Sequence, residues 1–189
     1  MAKINWKPGT MIYPLPAVMV SCGESPEEYN IITIAWTGTI NSNPPMCSIS
    51  VRPSRHSYPI IKRTGEFVIN LTTENLARVT DWCGCRSGKK YNKWEKTGLT
   101  PQQSKKVNAP GITESPVNIE CKVKEIIDLG SHHMFLAEVV HVTVDDTYID
   151  EEGAFRLARS YPLVYNHGHY FGLGKKIGKF GWSVEKKKK

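Results

Sequence analysis

Nothing in these 189 residues approaches the roughly 20 consecutive apolar positions that would carry a helix across a bilayer. The opening Met1-Ala-Lys-Ile-Asn-Trp6 also lacks the apolar stretch of a secretory leader, so a cytoplasmic location is expected, with no membrane partner. No Gly-x-Gly-x-x-Gly or Gly-x-x-x-x-Gly-Lys-Ser/Thr occurs, which removes support for a Rossmann unit and for nucleoside triphosphate hydrolysis. The five cysteines, at 22, 47, 83, 85 and 121, form neither a Cys-x-x-Cys pair nor an even framework. Reduced thiols are expected, with Cys83-Gly-Cys85 read as buried or helix-end thiols and no metal site. His132-His133 and His167-Gly-His169 lack the acidic neighbours of a catalytic metal centre, and a strand would send His132 and His133 to opposite faces. A Ser-His-Asp triad and paired carboxylates are absent as well.

The formal charge of +7 is misleading, because residues 175–189 hold seven Lys and one Glu, which leaves the rest of the chain at +1. No sustained basic stripe remains for nucleic acid, and residues 183–189 are expected to form a disordered, solvated tail. The length suits one compact domain spanning residues 1–189.

Strand patterns recur at Ala17–Cys22, Asn30–Thr37, Met46–Val51, Glu66–Leu71, Asn118–Ile127, His132–Val144 and Leu163–Leu173. Helical patterns are confined to Ser57–Thr64 and Thr73–Cys83. Turns set by Asn43-Pro-Pro45 and Asn108-Ala-Pro-Gly111 punctuate the strands, and this mainly β pattern favours an antiparallel barrel with a few short helices. The polar stretch Gly98–Ser115 reads as a long excursion that could cover a cofactor or a partner.

Two segments carry chemistry. In Asn30-Ile-Ile-Thr-Ile-Ala-Trp-Thr37, alternation puts bulky Asn30, Ile32, Ile34 and Trp36 on one side and Ile31, Thr33, Ala35 and Thr37 on the other. The smaller side is smooth enough for a flat aromatic ligand, although the pattern is equally that of a half-buried strand. The run Arg52-Pro-Ser-Arg-His-Ser57 then leads into a short helix, with Ser57 as N-cap, Pro59 in the first turn and Gly65 as the stop. Unpaired N–H groups at a helix start, ringed by Arg52, Ser54, Arg55 and Ser57, suit a phosphate, and a solvated basic loop is the alternative. Cys85-Arg-Ser-Gly-Lys-Lys-Tyr-Asn-Lys-Trp94 repeats the mixture of Ser, Gly and cations with aromatics.

Taken in order, these and further short motifs resemble the flavin reductase-like family, which includes flavoredoxin. They are Pro14-Leu-Pro-Ala-Val-Met-Val-Ser21, Asn30-x-x-Thr33-x-Ala35-Trp36, Val51-Arg-Pro-Ser54, Gly65-Glu-Phe-Val-Ile-Asn70, Ser87-Gly88 with Lys93-Trp94, and Gly130-Ser-His132 with Phe135-Leu-Ala-Glu-Val139. The match runs from about residue 10 to 175, with Ala137 where the family usually has Gly and Asn92 where it usually has Asp.

The resemblance implies an FMN-binding split β-barrel of Greek-key type, paired as a homodimer with one FMN near each subunit interface. It sets the isoalloxazine along Asn30, Thr33, Ala35 and Trp36. The phosphate falls near Arg52, Ser54 and Ser57, with Ser87, Gly88 and Lys93 assisting, and FMN is expected in preference to FAD. His132 falls on the nicotinamide side, as the candidate catalytic residue. The implied activity is an oxidoreductase that passes hydride from NAD(P)H to bound flavin and electrons onward to a small molecule or a redox partner protein. A flavoredoxin-like electron carrier and a non-enzymatic flavin-binding module are the alternatives.

Overall fold

The computed structural model describes residues 1–185. Its centre is a seven-stranded antiparallel sheet whose strands lie side by side in the order 30–34, 18–22, 66–70, 117–128, 133–144, 45–51 and 37–42. The first two strands are β1 (Leu15–Pro16) and β2 (Val18–Cys22), and β3 (Asn30–Ile34), β4 (Thr37–Ser42) and β5 (Pro45–Val51) follow. Helix α1 (Ser57–Thr64) precedes β6 (Glu66–Asn70), and α2 (Ala77–Cys85) and α3 (Lys93–Thr97) come next. The chain continues through β7 (Pro101–Gln102), β8 (Gly111–Ile112), the long pair β9 (Val117–Asp128) and β10 (His133–Val144), and the hairpin β11 (Leu163–Asn166) and β12 (His169–Gly172).

Chain continuity forces this sheet to curl. Strands β3 and β4 are its two edges, yet only Ala35 and Trp36 separate them. Seven strands laid flat would hold their edges about 29 Å apart. The three peptide links from Ile34 to Thr37 reach at most about 11 Å. The edges therefore meet at Ala35–Trp36 without forming a β3–β4 ladder, which makes a half-barrel with a seam.

Alternation fills the barrel. Val18, Val20, Ile32, Ile34, Ile49, Val51, Phe67, Ile69 and Phe135 form one buried cluster inside the curl. The opposite faces of β2 and β3 are covered too, where Met19 and Ile31 pack with Cys83, Trp94, Leu99 and Ile112 beneath α2 and α3. Every residue of β2 is buried for this reason.

Several expectations are corrected. The single strand over Asn30–Thr37 is broken at Ala35–Trp36, and polar β4 carried too little apolar alternation to be anticipated. The run Leu163–Leu173 is a hairpin that turns at His167 and Gly168, both at positive φ. Ser57 does not cap α1: His56 is the cap residue and makes no side-chain cap bond, while Ser57 Oγ accepts from Asn30 Nδ2 at 2.6 Å. Helix α3 lies outside the two helical patterns expected. Its Asn92 carboxamide accepts from the Trp94 and Glu95 amides, which is the capping job an Asp would do. Ala137 is fully buried in the barrel core, in a place where the methyl group is accommodated.

The excursion after Gly98 does not reach the site described below. It is tied to β6 and β9, where Ile112 N donates to Asn70 Oδ1 at 2.9 Å and the Glu120 carboxylate accepts from the amides of Lys105 and Lys106 at 2.8 and 2.6 Å. A short 3₁₀ turn at Trp182–Val184 occupies the start of the expected basic tail, and Lys186–Lys189 lie outside the described residues.

Candidate functional site

Because β3 is a sheet edge, one row of its peptide groups points away from the ladder. A cleft of about 300 Å³ runs along this edge and over the seam at Ala35–Trp36. Arg52, Arg55 and His132 line one side of it, and Asp81, Gly84 and Cys85 of α2, with Tyr165 and Tyr170 of the β11–β12 hairpin, line the other.

A second chamber of about 180 Å³ adjoins the first, sharing Ile32, Arg55 and Gly84 with it. Its chemistry differs from that of the cleft. Ser54, Ser57, Ser87 and Asn30 supply hydroxyl and amide groups, and Arg55, Arg86 and Lys93 supply cations. Lys93 lies only 3% exposed, with Nζ donating at 2.6 Å to the carbonyls of both Ile31 and Cys83. Burial, and secondarily the charge of Arg55, pushes this ammonium down to about 8, while the Cys83 and Cys22 thiols pull the other way. With Arg55 and Arg86 it gives the chamber three cationic side chains.

Gly88 is required at the chamber's rim. A Cβ there would fall within contact distance of the Asn30 carboxamide and 2.8 Å from His56 Cδ2. Gly84, inside α2, has a similar reason: its missing side chain lets the helix lie against Thr33, whose Cβ would stand 3.2 Å from an added methyl. The Thr33 hydroxyl is already committed to the Thr80 carbonyl. Helix α2 thus packs on the smaller face of β3 at Thr33, and Thr33 and Ala35 of that face still line the cleft.

At the cleft's far end the rings of Trp36 and His132 lie stacked, with centroids 6.5 Å apart and planes 11° from parallel. Ser131 Oγ meets His132 Nδ1 at 2.9 Å. Partial burial, then the charges of Arg52 and Arg55, hold the imidazole below its ordinary value. His133 points elsewhere and bonds the Tyr58 hydroxyl at 2.8 Å through Nδ1. Opposite, the Tyr170 hydroxyl donates to Asp81 at 3.2 Å, and burial, reinforced by that carboxylate, pushes its pKa up to about 12.

The candidates divide between the two chambers. Thr33, Ala35, Trp36, Arg52 and His132 line the cleft; Asn30, Ser54, Ser57, Ser87, Gly88 and Lys93 line the cationic chamber. Arg52 was expected beside the anion, and it is Arg55 that borders both spaces. Asn30, expected beside the ring, stands with the cations. Asp81, Gly84 and Cys85 were missed although their i, i+3, i+4 spacing put them on one helix face, and Tyr165 and Tyr170 carried no local signal. Among the described residues no group of three metal-ligating side chains gathers, and no helix is long and apolar enough to cross a membrane.

A cleft lined by Trp36, His132 and two tyrosines adjoins a small chamber lined by three cations. In sequence, the profile of the flavin reductase like domain matches residues 10–174. The chain belongs to that family. An uncharacterized protein of Archaeoglobus fulgidus is 35% identical over 139 residues, or 74% of this chain and 77% of that one. Among solved structures, flavoredoxin of Desulfovibrio vulgaris (Miyazaki F) is similar over 97% of this chain and all of its own, at 27% identity and a TM-score of 0.90. Flavoredoxin from Methanosarcina acetivorans covers 98% of this chain at 25% identity and a TM-score of 0.86. The flavin reductase-like fold is that of a split barrel, mostly β, with a few short helices.

Proposed function

We propose that this protein binds FMN and is an oxidoreductase in which NAD(P)H reduces the flavin and the electrons pass to an acceptor. The observation that carries this reading is the continuity of the ring-sized cleft with the cationic chamber through Arg55 and Gly84. When bound, the flavin supplies the redox chemistry, by accepting and releasing two electrons.

The chain's own residues position and neutralise. Arg55, Arg86 and Lys93 offset the phosphate charge, and the hydroxyls of Ser54, Ser57 and Ser87 are available as donors to its oxygens. The free edge of β3 offers peptide groups to the ring. His132, steadied by Trp36 and Ser131, lies where an amide-bearing ring entering the cleft would meet a hydrogen-bonding partner. The Asp81–Tyr170 pair closes the opposite wall.

The same proposal includes a homodimer. A compact monomer of 21.3 kDa exposes about 9,100 Å². This chain exposes 12687 Å², with Ile4, Trp6, Met11, Ile12, Ile177 and Phe180 of the terminal arms uncovered. A second copy is the partner that would cover them, and sedimentation at twice the chain mass is the expected result. The five unpaired thiols agree with a cytoplasmic setting.

A flavoredoxin-like electron carrier is the second reading, favoured by the full-length likeness to flavoredoxin. The deciding experiment mixes the flavin-loaded protein anaerobically with NADH, then with NADPH, and follows loss of flavin absorbance. Bleaching by a nicotinamide supports the reductase. If only a reduced partner protein bleaches the flavin, the carrier stands instead, and a protein that takes up no flavin removes both.

A further inference from the structure

Among the described residues the cleft carries a single carboxylate. Arg52, Arg55 and His132 stand on one wall, and on the other the one acidic side chain is Asp81 of α2. Asp81 is exposed and joins no ion pair among the described residues, and its neighbours one helical turn away, Ala77 and Cys85, offer no cation. What holds it is a donor. The Tyr170 hydroxyl of β12 donates to Oδ1 at 3.2 Å, and the Cys85 thiol, a weak donor, lies 3.9 Å from the same oxygen. Tyr170 is itself fixed, because it pairs with Tyr165 across the β11–β12 hairpin and meets that ring edge-on, with centroids 5.8 Å apart. Helix α2 and the C-terminal hairpin therefore present one oriented negative charge to the space that the proposed function assigns to the flavin ring.

A charge in that place bears on redox chemistry. Hydride transfer brings two electrons and one proton to a neutral isoalloxazine, so the product carries one negative charge until a second proton arrives from solvent. Arg52 and Arg55 favour that charge, and Asp81 opposes it from the facing wall. The opposition is felt because a ring filling the cleft displaces the water that would otherwise screen it.

We infer that Asp81, oriented by Tyr170, lowers the midpoint potential of flavin held in the cleft and so makes the reduced protein a stronger electron donor. This rests on the flavin reading above. The competing role, a strut between α2 and the hairpin, makes no demand on the potential. The test is anaerobic redox titration of the FMN-loaded protein, followed by flavin absorbance, for the wild type, Asp81→Asn and Tyr170→Phe. Asparagine keeps the shape and an acceptor for Tyr170 but removes the charge, so reduced flavin should be favoured about ten-fold, a rise of about 30 mV for the two-electron couple. Tyr170→Phe keeps the carboxylate and removes the hydroxyl dipole that partly offsets it, so its potential should fall below that of the wild type. An Asp81→Asn potential equal to or below the wild-type value overturns the inference, as do shifts of the same sign in the two variants, or an Asp81→Asn protein that no longer takes up FMN. Each of those results leaves the flavin reading standing, whereas a wild-type protein that takes up no flavin removes both.

Discussion

Lys93 ties the cofactor reading to a measurable pH dependence. Its ammonium is buried in the flavin-free chamber, and the fall from an ordinary 10.5 to about 8 corresponds to a penalty of about 3 kcal/mol for carrying the charge at neutral pH. Two opposite trends follow from this one group. In the flavin-free protein the unfolded chain holds the lysine proton more tightly than the fold does, so stability rises as pH climbs from about 8 towards 10.5. A phosphate dianion entering the chamber favours the charged form, so FMN affinity is greatest below pH 8 and falls as pH rises through it, approaching ten-fold per pH unit.

Lys93→Met should remove both trends. Losing the ammonium frees the Ile31 and Cys83 carbonyls, which costs about 1–3 kcal/mol in buried groups left without a donor. Relief of the desolvation penalty offsets this, so the variant should stay folded with nearly unchanged stability. FMN affinity should drop by about 1.5–3 kcal/mol, the scale of a charge-assisted hydrogen bond. The assay is calorimetric titration with FMN from about pH 7 to about pH 9.5, with riboflavin as the control that lacks the phosphate. An FMN affinity that is flat across this range, or one with the same slope in Lys93→Met or for riboflavin, would refute the reasoning.

Arg55 borders both chambers, so Arg55→Ala should weaken FMN by about 1.5–3 kcal/mol while Arg52→Ala, confined to the cleft, has the smaller effect; the reverse order in a binding titration would contradict the geometry. Gly88→Ala should fold normally by circular dichroism yet lose flavin, because the added methyl crowds Asn30 and His56 at the chamber's rim; retention of full affinity would mean that the rim yields. His132→Ala should leave flavin bound and slow its reduction by NAD(P)H roughly ten-fold, the loss of about 1–2 kcal/mol of orientation and hydrogen bonding. Stopped-flow bleaching at equal rates in both proteins would remove that role.

Much of this protein is local in the sequence. Alternation along β5, β9 and β10 and the short apolar runs of β2, β3 and β6 are enough to specify strands, and a turn residue such as Gly65 marks where α1 stops and β6 begins. The cation- and hydroxyl-rich lining of the second chamber was legible because Arg52–Ser57 and Ser87–Lys93 concentrate those groups in short spans, and their ordered motifs identified the family. What lay beyond reach depends on distance through space. No pattern within Asn30–Thr37 says that the chain turns from one edge of a seven-stranded sheet to the other at Ala35–Trp36, since the closure is imposed by strands contributed up to residue 144. Alternation likewise could not tell that the small face of β3 is claimed by α2, because the helix that covers Thr33 lies almost fifty residues away. That Arg55 borders both chambers and Arg52 only the cleft follows from how the loop turns into α1, and the wall of Asp81, Tyr165 and Tyr170 from the docking of a helix and a C-terminal hairpin that share no motif. Side-chain type and spacing determined which elements form and which chemistry is available; only the closing of the barrel decided which of those groups face one another.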